Sequence, residues 1–373
     1  MLRPTFRSAK GWVTTVYSLP VMRLKHRIGV TLFLLACVVC ADAEHAAITI
    51  AHQGSENVWV SLKGDTANFL LASKDGGRTW KSISTVAGFH ALYFLSPKIG
   101  WSLYLVQKDD NHCFVLSNTS DSGYSWHKSF SNCGGKGGYS IADVLFINQE
   151  RGFLLSDDAD DGLLLQTKDG GHSFRIVPEL TGKGQLSSIL WDGAQHLLVL
   201  GRDFIGVSDD QGRTWKRVEA TEGVLLGRTQ FFLTRGQLFP SGHGYLVDGN
   251  EIYESTDFGL HWLSTFVAED VHFFSDISFA DDENGCASGF SETNSIYCKI
   301  NGHNWMRISG PPVEDDGSKI LGTMKMTKHL LMTIDNDSQL YQSRDLGQTW
   351  TKAPLGTPAP LRRAPPDSRS KKR

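Results

Sequence analysis

Two aspartates in this 373-residue chain stand in matching settings, Asp143-Val144-Leu145-Phe146 and Asp276-Ile277-Ser278-Phe279. Two carboxylates flanking one groove can serve as general acid and base, and glycoside hydrolysis needs them roughly 5–9.5 Å apart. The competing reading is a pair of hydrated acids at the start of two strands, with no catalytic role. A second set of polar residues leads into β-prone runs: Lys136, Tyr139, Lys183, Gln185, Arg228, Asp270, His272 and Lys319. Their mixed charge suits a face that binds another protein. Acids also crowd other loops, at Asp109, Asp110, Asp157, Asp158, Asp160, Asp161, Asp203, Asp248, Glu292, Asp335 and Asp337. Hard oxygen ligands of this kind could hold calcium, but the 157–162 run lacks the spacing of a calcium loop, and solvated turns are the favoured reading. No metal and no cofactor is expected.

The elements that must position these groups come from an internal repeat. An eight-residue pattern occurs seven times: Ser73–Trp80, Thr119–Trp126, Thr167–Phe174, Ser208–Trp215, Ser255–Trp262, Cys298–Trp305 and Ser343–Trp350. Its third position is Asp75, Asp121, Asp169, Asp210, Asp257, Ile300 and Asp345, at intervals of 46, 48, 41, 47, 43 and 45 residues. A carboxylate there can accept backbone N–H bonds across a tight turn, and the glycine at position five supplies a positive φ. The final aromatic folds back as an apolar plug. Six of the ten tryptophans, Trp80, Trp126, Trp215, Trp262, Trp305 and Trp350, fill that place, with Phe174 in the third copy. The sixth copy, with Ile300 for aspartate, should be the weakest turn.

Three short β-prone runs precede each octet and one follows it. In the third repeat they are Ile141–Phe146, Gly152–Ser156, Leu163–Gln166 and Phe174–Val177; in the sixth, Ile277–Ala280, Cys286–Gly289, Ile296–Lys299 and Trp305–Ile308. Four strands per repeat of about 45 residues is a propeller blade. The fold expected is all-β, a seven-bladed β-propeller of four-stranded antiparallel blades spanning residues 44–356. Ala47–Ala51 would open the first blade and Trp350–Ala353 close the last, so no strand need be exchanged to close the ring. The octet turns then lie on one face of the disc. The loops between strands two and three, and those leading to the next blade, lie on the other, where ligands bind. This makes the octet aspartates structural.

The octets resemble the Asp-box (BNR) repeat. Gly100-Trp101 or Gly152-Phe153 on a second strand, followed by an octet such as Lys74-Asp75-Gly76-Gly77-Arg78-Thr79-Trp80, is similar to the photosystem II assembly and stability factor-like family. That resemblance, over about residues 46–354, implies a non-catalytic scaffold whose partner is a protein, such as a membrane protein under assembly. Asp-box repeats also occur in sialidases, so a glycan-binding or glycoside-hydrolysing propeller is the alternative; fold alone does not decide. Sialidases carry an Arg-Ile-Pro motif before the first Asp box, yet no arginine occurs between Glu44 and Ala72, and Arg175-Ile176-Val177-Pro178 follows an octet instead. No nucleophile elbow, spaced metal set or phosphate loop is present either. An enzyme is the less favoured reading.

The chain ends point to export. Arg23, Lys25, His26 and Arg27 precede the apolar run Ile28–Cys40 and an Ala41-Asp42-Ala43 cleavage signal, the plan of a signal peptide. Met22 would be a better initiator for it than Met1. Leu34-Leu35-Ala36-Cys37 also reads as a lipobox, with a lipid anchor at Cys37 as the alternative to plain cleavage. A periplasmic or other extracytoplasmic site is expected. Residues 44–356 hold 25 Lys and Arg against 38 Asp and Glu, a net of −13. An acidic body lacks the basic stripe that nucleic acid requires. The Pro-rich basic tail, 357–373, is expected to be disordered, and the whole a monomer. Four cysteines remain, and an exported chain would pair them. Cys286 and Cys298 are symmetric about position 292, between two neighbouring strands. Cys113 and Cys133 are symmetric about the Asp121–Gly123 turn. Both pairs should form cross-strand disulfides.

Overall fold

A computed structural model describes residues 49–62, 68–86, 89–108, 111–133, 141–156, 162–181, 184, 186–201, 204–219, 235–291, 295–312, 321–335 and 337–353. Within them are seven four-stranded antiparallel sheets, each a meander of consecutive strands. Blade 1 holds β1 (Thr49–Gln53), β2 (Asn57–Leu62), β3 (Asn68–Ser73) and β4 (Lys81–Val86). Blade 2 holds β5 (Phe89–Phe94), β6 (Gly100–Lys108), β7 (Asn111–Thr119) and β8 (His127–Cys133). Blade 3 holds β9 (Ile141–Phe146), β10 (Gly152–Ser156), β11 (Leu163–Thr167) and β12 (Arg175–Ile176). Blade 4 holds β13 (Leu186–Trp191), β14 (Leu197–Gly201), β15 (Phe204–Ser208) and β16 (Lys216–Glu219). Blade 5 holds β17 (Arg235–Leu238), β18 (Gly244–Asp248), β19 (Glu251–Ser255) and β20 (Leu263–Val267). Blade 6 holds β21 (Phe273–Asp281), β22 (Asn284–Phe290), β23 (Ile296–Lys299) and β24 (Met306–Ile308). Blade 7 holds β25 (Leu321–Thr327), β26 (Leu330–Asp335), β27 (Leu340–Ser343) and β28 (Thr351–Lys352). No helix occurs among the described residues.

The fold expected from the repeat is the one observed. Second strands read as nearly unbroken apolar runs, and β10 and β14 are buried at every position, because neighbouring blades cover both faces of each sheet. Outermost strands are polar. Exposed Lys81, Lys128, Arg175, Lys216, Arg307 and Lys352 lie on six of them, charges that protect an open sheet edge from pairing with another chain.

Aromatic stacking joins the blades. Trp59 of β2 lies flat on Phe94 of β5 with ring centroids 3.7 Å apart, and Trp101 of β6 repeats the contact with Phe146 of β9 at 3.7 Å. Tyr245 of β18 stacks on Phe279 of β21 at 3.9 Å. The glycine before Trp101 has a steric reason: a Cβ on Gly100 would come within 2.7 Å of the Phe94 ring. Each innermost strand packs on the next, and β1 touches both β5 and β25, closing the ring.

The two expected disulfides are present, Cys113–Cys133 and Cys286–Cys298. Each joins directly opposed residues, on β7 and β8 and on β22 and β23. They suggest an oxidising, extracytoplasmic setting. Among the described residues no helix is long and apolar enough to cross a membrane.

Candidate functional site

The octet aspartates are fully engaged in their own turns. Asp75 Oδ1 accepts from the Ser73 hydroxyl at 2.7 Å and from the Thr79 backbone N–H at 2.9 Å, and Oδ2 accepts from the Thr79 hydroxyl at 2.6 Å. The Ser73 hydroxyl in turn accepts from Gly77 N–H at 2.8 Å. The same clamp recurs at Asp121, Asp169, Asp210, Asp257 and Asp345, with His261 replacing the position-seven hydroxyl in blade 5. Burial raises the Asp75 pKa, but bonds from Thr79, Ser73 and Arg78 outweigh it and hold the carboxyl at about 2. Hydrogen bonds that favour the charged form are the cause. Residues with their lone pairs committed in this way make poor proton shuttles.

Two parts of this turn go beyond the sequence reading. The hydroxyls at positions one and seven are as integral as the aspartate. Position four is also left-handed in every copy: Gly76 and Gly170 in two, Ser122, Gln211, Phe258, Asn301 and Leu346 in the others. The sixth turn has neither the aspartate nor the position-one hydroxyl, since Cys298 is tied in its disulfide. Asn301 N–H donates instead to the Asn284 side chain at 3.0 Å, and Gly302 N–H to the Glu283 carbonyl at 3.0 Å.

Inside the ring the seven first strands surround a channel of about 480 Å³. Asp143 and Asp276 both line it. Aligning the first strands on Phe146, Trp191, Leu238, Phe279 and Met326 puts Asp143, Ser188, Arg235, Asp276 and Thr323, each three residues earlier, at one level in blades 3 to 7.

Both aspartates act as ties between blades. Asp276 Oδ1 accepts from Ile277 N–H of its own strand at 2.9 Å, and Oδ2 accepts from Met324 N–H of β25 at 2.9 Å. Asp143 Oδ1 accepts from Val144 N–H at 2.8 Å, and the carboxylate is also bonded by Ile189 N–H of β13. Burial pushes the Asp143 carboxyl above the usual carboxylate range, opposed by Arg235, these two N–H groups and Lys325. Ser278 and Gln237 make comparable ties to Met326 and Phe279.

Arg235, Lys325, His52 and His90 complete the polar lining, and no motif in the sequence marks them. Burial, then the charge of Lys325, lowers the His52 pKa, with the Gly54 carbonyl acting against them. His52 therefore stays neutral at neutral pH, with Nδ1 3.3 Å from that carbonyl. The Tyr93 hydroxyl donates to the Phe146 carbonyl at 2.8 Å.

Asp270 and His272 do not line the channel. Asp270 accepts from the Ser295 hydroxyl at 2.7 Å and from the Tyr297 hydroxyl, with Arg307 Nε 3.4 Å away, which fastens the loop before β21 to the body of blade 6. His272 is exposed beside Phe290 on the opposite face from the octets, its ring 5.7 Å from the phenylalanine. Asp335 is buried and caps its turn, accepting from Asp337 and Gln339 N–H at 3.0 and 2.8 Å. Lys136, Tyr139, Lys183, Gln185, Arg228 and Lys319 lie outside the described residues. So do Asp109, Asp110, Asp157, Asp158, Asp160, Asp161, Asp203, Glu292, the export segment with Cys37, and the tail. Among the described residues no three His, Cys, Asp or Glu side chains could together hold a metal ion.

No family model matches the chain, and no curated protein matches it by sequence. Solved structures do match it in shape. A structure of YCF48 bound to D1 peptide superposes with a TM-score of 0.53 at 16% identity, covering 78% of this chain and 91% of that one. YCF48 from Cyanidioschyzon merolae gives 0.53 at 14% identity, over 79% and 92%. Saccharomyces cerevisiae Sqt1 gives 0.50 at 13%, over 81% and 83%. These likenesses establish the propeller fold.

Proposed function

We propose that the chain is an exported, non-catalytic propeller scaffold whose loop face, opposite the octet turns, holds a protein partner, a membrane protein under assembly. Residues 1–43 would direct export and 44–356 form the scaffold. The observation that carries the reading is the use made of Asp143 and Asp276: both clamp successive first strands by accepting backbone N–H groups. A rigid ring closed by such ties, by stacked aromatics and by two disulfides suits a presenting surface, since a preorganised face loses less entropy on binding. Exposed His272, with Phe273 and Phe290 half-buried beside it, supplies the mixed aromatic and polar chemistry found at interface anchors. YCF48, which shares the fold, has been solved with a peptide bound.

Site-specific photo-crosslinking in the native host tests the proposal. A crosslinker at His272 should capture one discrete membrane-fraction protein, and one at Lys74 on the octet face should not. Equal capture from both faces, or none from either, would refute a loop-face scaffold.

A further inference from the structure

The channel holds more positive hydrogen-bonding capacity than its own walls use. Arg235 on β17 lines it half-buried, and among the described residues its guanidinium makes no hydrogen bond or ion pair; Asp143 senses its charge only from a distance. A guanidinium carries five N–H donors in a planar fork, which leaves Arg235 free to grip a ligand in the channel. The Lys325 ammonium, on β25, stands 4.0 Å from Asp276 Oδ2, too far for a hydrogen bond. The carboxylates are better served. Asp276 has an N–H on each oxygen, and Asp143 is bonded by Val144 and Ile189.

We propose that the central channel binds a small oxyanion, a carboxylate or phosphate group, held by the Arg235 fork and the Lys325 ammonium. The 480 Å³ cavity is far larger than the share of one water, about 30 Å³, so it admits a small organic acid or a phosphate. Ser188, at the level of Arg235, offers a further hydroxyl. Ile50, Leu92, Val144, Ile189 and Ile277 also border the channel, with their side chains buried in the cores between blades. Arg with Lys is the donor combination that suits either oxyanion. This inference concerns the channel, not the loop face, and stands apart from the docking proposal.

Calorimetric titration of the full-length exported protein with sodium phosphate and with sodium succinate, in chloride buffer of matched ionic strength, tests it. Saturable binding of at least one probe is expected: phosphate alone would identify a phosphate site, succinate alone a carboxylate site. Arg235→Gln should weaken binding about tenfold or more and Lys325→Gln several-fold, since each removes a charge-assisted contact. Lys74→Gln, on the octet face, should leave it unchanged. Should Arg235→Gln fail to fold, wild-type protein carrying isotope-labelled arginine serves the same purpose. One arginine Nε–H resonance should then move with the isotherm. No saturable binding of either probe, equal affinity in folded Arg235→Gln, or no arginine resonance moving would each overturn the proposal.

Discussion

The Arg344 guanidinium of blade 7 donates to the Gly76 carbonyl of blade 1 across 2.8 Å, next to the point where Gly77 meets Leu330 and Gln342. Ring closure thus rests on packing at an octet turn, and the other octet glycines except Gly302 repeat the contact: Gly123 faces Leu70, Gly212 faces Phe153 and Gly259 faces Leu198 of the preceding blade. A Cβ on Gly77, whose φ is +78°, would lie 2.8 Å from the Gln342 amide and 2.9 Å from Leu330. Gly77→Ala should therefore cost about 3 kcal/mol, at the upper end for left-handed strain. Gly54→Ala, at φ +62° with nothing within 4 Å, should cost about 1 kcal/mol. Urea denaturation would compare them; equal losses would contradict closure at this turn.

The tryptophan plugs should dominate the stability of their blades. Trp215 is 7% exposed and meets Phe153 edge-on at 5.8 Å, so Trp215→Ala should cost about 3–5 kcal/mol. Lys74→Ala, at an exposed octet position, should change stability by less than about 0.5 kcal/mol. Similar shifts in urea midpoint for the two would remove the basis for the blade assignment.

Stability should fall on acidification in a narrow window. The carboxyls of Asp75, Asp210 and Asp345 are held at about 2 in the folded protein, below their ordinary 3.8. A depressed folded pKa stabilises above the unfolded value, and that contribution is lost as pH falls through the folded one. The octets should contribute fully above about pH 4 and progressively less down to about pH 2. Thermal melts across that range should show a shallower decline for the Asp75→Asn, Asp210→Asn, Asp345→Asn triple variant than for wild type. Parallel curves would show that these carboxylates do not couple to folding.

The spacing of Asp75, Asp121, Asp169, Asp210, Asp257 and Asp345 made the blade count and octet face legible, because a tight turn with an apolar plug leaves residue types at fixed offsets. The strand ranges followed from β-prone runs, and the disulfides from symmetry about two turns. The left-handed position four stayed hidden because Phe258 and Leu346 have no composition cue for positive φ. Asp143 and Asp276 were found as a pair, but their acceptor roles depend on Ile189 and Met324, which are 46 and 48 residues away. Arg235 sits at the same strand level, so aligning the first strands would have found it. Lys325 lies on first strand β25, two residues past that level, and His52 on first strand β1, which the alignment of blades 3 to 7 leaves out.

Non-reducing peptide mapping of the exported protein should recover the 113–133 and 286–298 links and no other. Each short loop should contribute about 3 kcal/mol. The sixth octet lacks the Ser/Asp clamp, so reduction should speed amide exchange at Gly302 while Gly259, held by Ser255 at 2.9 Å, changes little. A 113–286 link, or equal exchange at both glycines, would contradict the register and the compensating role of the bridge.

The most direct measurement of the scaffold account is turnover. Purified wild-type protein, Asp143→Asn and Asp276→Asn should be incubated with fluorogenic sialosides and β-glucosides, with the urea midpoint of Asp276→Ala measured alongside. If the aspartates are ties between blades, no protein releases product. Asp276→Ala also loses about 2 kcal/mol or more, because Ile277 and Met324 N–H are left buried without an acceptor. Product release by wild type that both Asn variants abolish, with Asp276→Ala as stable as wild type, would instead make the pair a general acid and base and the protein a glycoside hydrolase.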